Sequence, residues 1–442
     1  MHTVRYPTTV PFGPMRLLAS QVAEATGGRL VGPDVAIDGA SFDSRTTGDG
    51  QLFVPIVADR DGHEFVAAAL AAGATAYLTS AAPEGGTAIV VDDTAAALMR
   101  LAAWARRRLD VPVVGVTGSV GKTSTKDFIS ASLGATRQVT ANAKSFNNEQ
   151  GLPVTILGAP DEVEALVVEM GMRGFGEITR LCDVAAPTIG VVTRVAASHT
   201  ERVGSIDGVE RAKRELVEAL PDVGVAILNA DDERVARMAT AAPGEVVTFG
   251  ARGDVRIGDL ELDELARARF RIETPWGHGE VLLAVSGPHM ATNAAAAVAV
   301  AGVVEGTIEP AIDALTSATI SGMRMEVGRT PSGAVVVNDA YNANPDSMRA
   351  ALDTLAAMRA ERRFAVLGPM AELDDPPAGH ARVMADARER GIEVIAYGTE
   401  LYGIVPAGDP VAALGDLGPG DIVLVKASRA GGLERIAHAL LA

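Results

Sequence analysis

A glycine-rich segment near residue 120 carries the residue types that bind nucleotide phosphates. The run TGSVGKT, residues 117–123, follows an apolar stretch and precedes a helical pattern. Glycines allow the backbone to fold closely around phosphates, so that its N–H groups face the ligand at a helix N-terminus. In such a loop Lys122 reaches the β- and γ-phosphates, and the Thr123 hydroxyl ligates Mg²⁺. We therefore predict an ATP-binding loop made of Gly118, Ser119, Val120, Gly121, Lys122, Thr123 and Ser124.

The glycine spacing of this loop departs slightly from the standard P-loop. Gly115 lies one residue farther from Gly121 than the pattern G-x-x-x-x-G-K-[ST] requires. An ordinary glycine-rich turn is the alternative interpretation. The intact Gly-Lys-Thr and the strand–turn–helix context favour phosphate binding.

Three further residues have types that suit metal or phosphate chemistry. Glu169 ends an apolar run, and a carboxylate at the end of a strand beside a P-loop can hold Mg²⁺. A lone histidine such as His199 is usually a packing or capping residue. Lys213, with acidic neighbours in a helical pattern, has the character of a solvated surface lysine. From spacing alone, only Glu169 is predicted as a ligand.

Polar clusters follow several predicted strands or irregular segments. They are residues 147–149 (Asn-Asn-Glu), 229–232 (Asn-Ala-Asp-Asp) and the longer, mostly polar run 338–346. The carboxyl ends of strands are where α/β sheets bind ligands. Turn formation is the alternative, because Asn, Asp and Pro favour turns. For residues 338–346, directly after the apolar Val335–Val337, we favour a binding function.

Alternating apolar runs and helical patterns predict an α/β fold that positions these residues. Apolar runs at residues 111–116, 165–169 and 188–192, with helical patterns between and after them, indicate a mostly parallel sheet covered by helices. Residues 255–285 read instead as alternating strand pairs, so we expect a hairpin insertion or side sheet there. The region after residue 321 shows a second doubly wound α/β pattern.

The length of 442 residues suggests about three domains. We expect a disordered leader at residues 1–14, followed by a small N-terminal α/β domain at 15–110, a central P-loop domain with a parallel sheet at 111–320, and a C-terminal Rossmann-like α/β domain at 321–442.

Composition excludes several classes of protein. A net charge of -17 argues against general nucleic-acid binding, which relies on Lys and Arg. The single cysteine, Cys182, excludes an internal disulfide and a cysteine-rich metal site. The longest apolar run, residues 294–304, is shorter than the roughly 20 residues of a membrane span, and the N-terminus lacks the apolar core of a signal peptide. We expect a cytoplasmic monomer without nucleic-acid partners.

A series of motifs resembles the Mur ligase family. GVTGSVGKTSTKD, SFNNEQGLP, VVEMGMRGFGEI, AKREL, AILNADD, NDAYNANPDSM, VLGPMAEL and GDIVLVKASR occur in the order they take in members that add D-alanyl-D-alanine. FDSRTTGDGQLFVPI and DGHEF resemble that family's UDP-sugar domain. The resemblance covers nearly the whole chain from Met15. YNANPDSM and SFNNE favour this type over ligases that add earlier residues and over folylpolyglutamate synthase.

The resemblance implies an activity and its substrates. ATP would phosphorylate the free carboxylate of a UDP-muramoyl tripeptide, and the amine of D-Ala-D-Ala would attack the acyl phosphate, as a step of peptidoglycan precursor synthesis. The N-terminal domain would bind the UDP-sugar, the central domain ATP and Mg²⁺, and the C-terminal domain the amine substrate. Enclosing three substrates in one cleft would lower the barrier and exclude water.

The resemblance also implies residue roles. The catalytic residues would be Lys122, Glu169, His199 and Lys213, of which Lys213 is similar to the family's carbamylated lysine, an anionic metal ligand made from CO₂. The metal ligands would be Thr123, Glu169, His199 and Lys213. Asn229 and Asn293 would lie near the adenine, Arg324 near the γ-phosphate and Asp339 near the ribose or phosphates. Substrates would contact Ser44, Arg45, Asn147, Asn148, Tyr341, Asn342 and Asn344, with Ser44 and Arg45 at the uridine end.

Several positions depart from the family pattern. Val120, Arg194 and Met290 stand where Asn is usual, and Asn338 and Pro369 stand where an acid is usual. These changes leave open a paralogue that joins a different carboxylate and amine. A nucleotide-dependent switch is disfavoured, because it would have no use for the third domain. The Asn-Lys-x-Asp signature of guanine-nucleotide switches is also absent from this sequence. A non-catalytic sugar-nucleotide binder would not need Lys122 or Lys213. Because the sequence contains both lysines, this alternative is disfavoured.

Overall fold

The computed structural model describes residues 14–143, 146–196, 200–371 and 373–442. Almost all of the predicted leader, residues 1–13, therefore lies outside the described residues. The chain forms two compact units. The first contains the described residues of Met1–Val114, Arg137–Met170 and Thr179–Pro187, and the second those of Gly115–Thr136, Gly171–Ile178 and Thr188–Ala442. No helix in the described part of the chain combines the length and apolarity needed to cross a membrane.

The first unit is built from short strands and helices. In chain order these are β1 (Arg16–Leu18), α1 (Ala19–Thr26), β2 (Arg29–Val31), β3 (Ala36–Asp38), β4 (Ala40–Ser41), β5 (Leu52–Phe53), the 3₁₀ helix Gly62–Phe65, α2 (Val66–Ala71), β6 (Ala76–Thr79), β7 (Thr87–Val90), α3 (Thr94–Arg106), then β9 (Val139–Ala141), α5 (Gly151–Leu157) and β10 (Ala165–Glu169). The strand β8 (Val113–Thr117) and the helix α6 (Glu177–Ala185) each contribute residues to both units.

A five-stranded sheet with the order β2-β7-β6-β5-β4 forms the centre of the first unit. All neighbours in it are parallel except β2 and β7. Phe53, Val66 and Tyr77 are buried between this sheet and α2. Gly39, with a φ of 75°, breaks the extended backbone and separates β3 from β4. Elsewhere β9 and β10 pair in parallel.

The second unit contains the remaining elements. These are α4 (Lys122–Gly134), β11 (Ile189–Val192), α7 (Thr200–Val203), α8 (Ile206–Glu218), β12 (Val225–Asn229), α9 (Glu233–Arg237), the 3₁₀ helix Met238–Ala241, β13 (Glu245–Gly250), β14 (Val255–Leu262), β15 (Arg267–Thr274), β16 (Gly277–Ser286), α10 (His289–Glu305), α11 (Glu309–Leu315), β17 (Glu326–Arg329), β18 (Val335–Asn338), α12 (Pro345–Ala357), β19 (Arg362–Leu367), α13 (Pro376–Glu389), β20 (Glu393–Ala396), α14 (Pro410–Ala413), β21 (Asp421–Lys426), the 3₁₀ helix Arg429–Gly431 and α15 (Glu434–Leu441).

The strands β11, β12 and β13 are parallel neighbours, which confirms the parallel sheet predicted for the central part. Residues 255–285 form the predicted antiparallel strand pairs but not a separate side sheet. β14 pairs with β13 in parallel, and β15 and β16 follow in antiparallel order, so these strands extend the same sheet. The pairing of Phe249 with Val255 makes this junction. Because Phe249 lies outside the alternating segment, the pattern of that segment could not show the junction.

The alanine-rich helix α10 packs closely against its surroundings. Its residues are buried on nearly all faces, since small side chains allow close approach. A Cβ at Gly302 would lie 2.1 Å from the ring of Trp276. The packing of this helix therefore depends on its small side chains rather than on an apolar stripe along one face.

The C-terminal part forms a second sheet with the order β17-β18-β21-β19-β20. All neighbours are parallel except the edge strand β17. Its apolar side chains, including Val336, Phe364 and Val423, are buried. This arrangement confirms the predicted second α/β pattern. Residues 339–344 leave the carboxyl end of β18 and lead to α12.

Candidate active site

The predicted P-loop is a tight turn between β8 and α4. Gly118 has a φ of 150° and Gly121 a φ of 83°, conformations that favour glycine. Gly121 immediately precedes the first residue of α4. The Nζ atom of Lys122 lies 2.8 Å from the carbonyl oxygen of Gly118, to which it donates. The strand–turn–helix context is thereby confirmed, and the lysine side chain folds back over the turn.

The segment that follows β11 holds this turn in place. Thr193 donates from Oγ1 to the carbonyl oxygen of Val120 at 2.6 Å. The backbone N–H of Ser119 donates to the carbonyl oxygen of Arg194 at 2.7 Å. A Cβ at Gly118 would lie only 1.9 Å from Thr193 Oγ1. The close approach of these two segments therefore requires glycine at position 118.

Asn229 fixes the same segment from its other side. Its Nδ2 donates to the carbonyl oxygen of Thr193 at 2.7 Å, and its Oδ1 accepts from the N–H of Asp231 at 2.9 Å. Asp232, which sequence reasoning did not single out, accepts from the N–H of Val195 at 2.9 Å. The polar run 229–232 thus supports the segment that holds the P-loop.

Asn293, on α10, also reaches the P-loop. Its Oδ1 lies 2.8 Å from the position that a Cβ on Gly121 would occupy. Its Nδ2 lies 3.6 Å from the Sδ of Met290, one of the positions that depart from the family pattern. The structure therefore brings both predicted asparagines, Asn229 and Asn293, to the surroundings of the P-loop.

Arg324 connects the P-loop to the loop after β18. Its Nη2 donates to Thr123 Oγ1 at 3.1 Å, and its Cζ lies 3.8 Å from the centroid of the Tyr341 ring. Both neighbours of Arg324 have left-handed backbones, with φ of 60° at Met323 and 50° at Met325. Such a conformation costs roughly 1–3 kcal/mol for a non-glycine residue and concentrates at functional sites. The strained backbone directs Arg324 to Thr123 and Tyr341.

Asp339 is buried and forms an ion pair with Lys426 at the end of β21. Its Oδ1 also accepts from the N–H of Met325 at 3.2 Å. Lys426 was missed as a functional residue, although a charged residue that ends the apolar strand DIVLVK was a signal for it. The amide oxygen of Asn344 accepts from the N–H of Ser347 at 2.8 Å and so caps α12.

His289 lies at the start of α10, in the electrostatic field of Asp339 and Lys426. Burial lowers the pKa of His289, while the negative charge of Asp339 acts in the opposite direction. Its Nδ1 is buried and has no hydrogen-bond partner among the described residues. The imidazole is therefore kept neutral near pH 7.

Glu169 is almost completely buried in the first unit. Its Oε1 accepts from Nδ2 of Asn147 at 2.7 Å, and its backbone N–H donates to Oδ1 of Asn142 at 2.6 Å. Asn148 instead uses its side-chain oxygen to accept from the N–H of Gly151 at 2.8 Å, at the start of α5. The structure therefore brings Asn147, but not the side chain of Asn148, to the carboxylate.

Ser44 and Arg45 lie in the turn after β4. Arg45 donates from Nε and Nη2 to the two carboxylate oxygens of Asp43, at 2.9 Å and 2.7 Å. These hydrogen bonds hold the pKa of Asp43 below its ordinary value. The pair keeps the exposed guanidinium in one orientation beside Ser44.

Lys213 is buried on α8, so the interpretation as a solvated surface lysine was wrong. Other contacts fix the first half of this helix. Ser205 caps its start, and Glu210 accepts from Arg234 and Arg237 at 2.8 Å each. His199 lies outside the described residues. Within residues 14–143, 146–196, 200–371 and 373–442, no group of three or more His, Cys, Asp or Glu side chains is placed to hold a metal ion.

Comparisons with known proteins agree across the whole chain. Residues 116–301 match the model of the Mur ligase middle domain, and residues 323–407 match that of the Mur ligase glutamate ligase domain. The UDP-N-acetylmuramoyl-tripeptide–D-alanyl-D-alanine ligase of Mycobacterium bovis is 38% identical over 97% of this chain and 98% of its own length. The enzyme of that name from Escherichia coli is 32% identical over 95% of this chain and 97% of its own.

Solved structures give the same result. A crystal structure of MurF from Acinetobacter baumannii matches with a TM-score of 0.85 and 26% identity, over 97% of this chain and 99% of that one. MurF from Thermotoga maritima in complex with ADP matches with a TM-score of 0.81 and 26% identity, over 91% and 96%. With the P-loop and its supports in place, these full-length matches show that the chain belongs to the Mur ligase family, among its UDP-N-acetylmuramoyl-tripeptide–D-alanyl-D-alanine ligases.

Proposed function

We propose that this protein is an ATP-dependent ligase that joins D-alanyl-D-alanine to a UDP-N-acetylmuramoyl tripeptide, in peptidoglycan precursor synthesis. The observation that carries this proposal is the match to a curated ligase of that name at 38% identity over 97% of the chain. The reaction proceeds through an acyl phosphate on the tripeptide carboxylate.

Three domains divide the work in this proposal. Residues 15–110 bind the UDP-sugar, residues 111–320 bind ATP, and residues 321–442 bind the dipeptide. The exposed pair of Arg45 and Asp43 suits recognition of the uridine end, since it presents a paired cation at the surface next to Ser44 in the chain. The loop 339–344 suits the dipeptide, because it leaves the carboxyl end of a strand in an α/β sheet.

The residues of the P-loop fit ATP and Mg²⁺. Gly118 and Gly121 keep the turn free of side chains, and Thr123 offers a hydroxyl oxygen, the kind of ligand that Mg²⁺ prefers. Glu169 supplies a buried carboxylate of the same chemistry. When bound, Mg²⁺ would neutralise phosphate charge and orient the transferred phosphoryl group.

The protein's own cations do the rest of the electrostatic work. Lys122, held over the turn at Gly118, carries the positive charge that a phosphoryl group needs in transfer. Arg324, at Thr123, adds a second charge with a planar fork of donors suited to phosphate oxygens. Phosphoryl transfer requires mainly such positioning, because little covalent chemistry falls to the protein.

Lys213 is carbamylated in this proposal. The motif AKREL, which contains Lys213, resembles the family's motif that holds a carbamylated lysine. Reaction of the amine with CO₂ converts the cation into a carboxylate-like anion, which serves as a metal ligand. The burial of Lys213 supports this assignment.

The test measures phosphate release from ATP with Mg²⁺, bicarbonate, UDP-muramoyl tripeptide and D-Ala-D-Ala, omitting each substrate in turn. We expect release that requires both substrates and a UDP-muramoyl pentapeptide in the mass spectrum. The K122M variant is the matched control for contaminating activity. If folded wild-type protein binds ATP but releases no phosphate, the cell-wall assignment fails. Other carboxylate–amine pairs are then the substrates to test, as the departures at Arg194, Asn338 and Pro369 would suggest.

A further inference from the structure

Lys426 is a buried cation to which the proposed chemistry gives no role. Only 3% of its side chain is exposed, and it ends the apolar strand β21. Its Nζ pairs with the Asp339 carboxylate and donates to the carbonyl oxygen of Asn342 at 2.9 Å. A buried charge is retained at low cost only where such partners satisfy it. Among the described residues, the hydrogen bonds of the Lys426 Nζ are with Asp339 and Asn342, both in residues 339–344.

The end of β21 holds this loop at several points. The N–H of Asp339 donates to the carbonyl oxygen of Val425 at 2.9 Å, and Ser428 Oγ donates to the carbonyl oxygen of Ala343 at 3.2 Å. Lys426 lies between these two contacts in the chain and bonds to both Asp339 and Asn342. The ammonium group, with three donors on a flexible stem, can join a carboxylate and a carbonyl at once.

The loop in turn reaches the P-loop. The N–H of Tyr341 donates to the carbonyl oxygen of Met323 at 3.2 Å, and the Tyr341 ring lies under Arg324. Arg324 donates to Thr123. A continuous set of contacts therefore runs from Lys426 through the loop and Arg324 to the start of α4.

We infer that Lys426 is a positioning residue, which fixes the loop 339–344 so that it presents Tyr341 and Arg324 to the dipeptide and ATP. This inference rests on the proposed function of the loop. Lys426 itself touches neither substrate in this assignment. Its charge and its two hydrogen bonds keep Asp339 and Asn342 in register with β21.

The alternative is that Lys426 only stabilises the C-terminal sheet. The experiment compares K426M, which removes the charge, with K426R, which keeps it, and with V423A. Val423 is fully buried on the same strand, in the core cluster that also contains Ala340 of the loop, so V423A weakens that core but leaves the charge and the hydrogen bonds of Lys426 in place. All variants are made in the full-length protein.

We expect K426M to raise the KM for D-Ala-D-Ala roughly tenfold to a hundredfold, as small misplacements of binding groups do. The KM for ATP should rise as well, because the loop supports Arg324 through Tyr341. The KM for the UDP-muramoyl tripeptide should stay within about twofold, and V423A with a matched loss of thermal stability should change none of these constants. The inference would be overturned if K426M raised the KM for the UDP-muramoyl tripeptide as much as the KM for D-Ala-D-Ala. It would also be overturned if V423A raised the KM for D-Ala-D-Ala as much as K426M does. If K426M does not fold, K426R provides the test. A severalfold rise in the KM for D-Ala-D-Ala at unchanged Tm would support the positioning role, and unchanged kinetics would refute it.

Hydrogen exchange of the peptide covering residues 339–344 keeps this test independent of the proposed reaction. K426M should accelerate exchange there at least severalfold, K426R should do so less, and both should leave the peptide of β21 unchanged, whatever substrates the enzyme uses. Unchanged exchange at residues 339–344 would overturn the positioning role. Absence of pentapeptide synthesis in the wild-type protein would instead refute the proposed function alone.

Discussion

The guanidinium of Arg324 lies over the ring of Tyr341, with its Cζ atom 3.8 Å from the ring centroid. These residues come from different elements, one preceding β17 and the other following β18. A cation placed over an aromatic face is stabilised by about 0.5–2 kcal/mol, more where water is excluded. The contact leaves Nη2 of Arg324 directed at Thr123 Oγ1. Tyr341 thereby supports Arg324, a residue of the proposed ATP site.

Removal of the Tyr341 ring should therefore impair the use of ATP. We expect Y341A to lower kcat/KM for ATP roughly tenfold, the kinetic equivalent of about 1.4 kcal/mol of lost orientation. Y341F keeps the ring and should retain most of the activity. Steady-state kinetics at saturating tripeptide and dipeptide measure both variants. Equal losses in Y341A and Y341F would mean that the hydroxyl, and not the ring, is what matters.

Substitution of Gly118 should abolish the geometry of the P-loop. In G118A the added Cβ would meet Thr193 Oγ1 at 1.9 Å, and alanine would be strained at a φ of 150°. We expect ADP binding to weaken by about 2 kcal/mol, or roughly thirtyfold. The double variant G118A/T193A removes the steric clash and should recover part of the affinity. Isothermal titration with ADP distinguishes these cases, and wild-type affinity in G118A would contradict the role of this close approach.

Loss of the Lys213 side chain should be rescued by small carboxylates. We expect K213A to lower kcat at least about a hundredfold, as loss of metal-site groups does. Acetate or propionate should restore part of the activity, because they return an anion to the cavity. Wild-type activity should also depend on bicarbonate after exhaustive CO₂ removal. Full activity of K213A, or of wild-type enzyme without CO₂, would argue against carbamylation.

The buried His380 makes stability depend on pH. Its Nε2 accepts from the N–H of Met370 at 3.1 Å, so that nitrogen carries no proton. Burial lowers the pKa of His380 below its ordinary value of 6.5. His380, buried in its neutral form, therefore makes its full contribution to the free energy of unfolding above pH 6.5. That contribution is lost as the pH falls from 6.5 toward the lowered pKa.

We expect the Tm of the wild-type protein to fall by roughly 2 °C or more beyond that of H380Q between pH 7.5 and pH 5.5. H380Q can still accept from Met370 but does not titrate in this range. Differential scanning calorimetry at a series of pH values measures the two slopes. Parallel slopes would show that His380 contributes no pH dependence, and that other groups such as His289 account for it.

The sequence by itself determined the features that depend on the conformations of a few neighbouring residues, such as turns and strands. A loop with the pattern TGSVGKT adopts its turn because Gly118 and Gly121 require conformations that other residues avoid, and the apolar run before it can only be a buried strand. The α/β pattern and the family motifs follow from the same short-range order. The positions of most strands were therefore predictable before any contact was known.

Only the tertiary structure decided which of the polar residues work together. Arg324 meets Thr123 across 201 residues of chain, and Lys426 meets Asp339 across 87, so no local pattern shows either pair. The burial of Lys213 is likewise set by what packs on its helix and not by its acidic neighbours in sequence. Hydrogen bonds and ion pairs act over a few ångströms in space, while sequence patterns record distance along the chain. Distances in space are set by the fold, so the contacts between these site residues became known only from the structure.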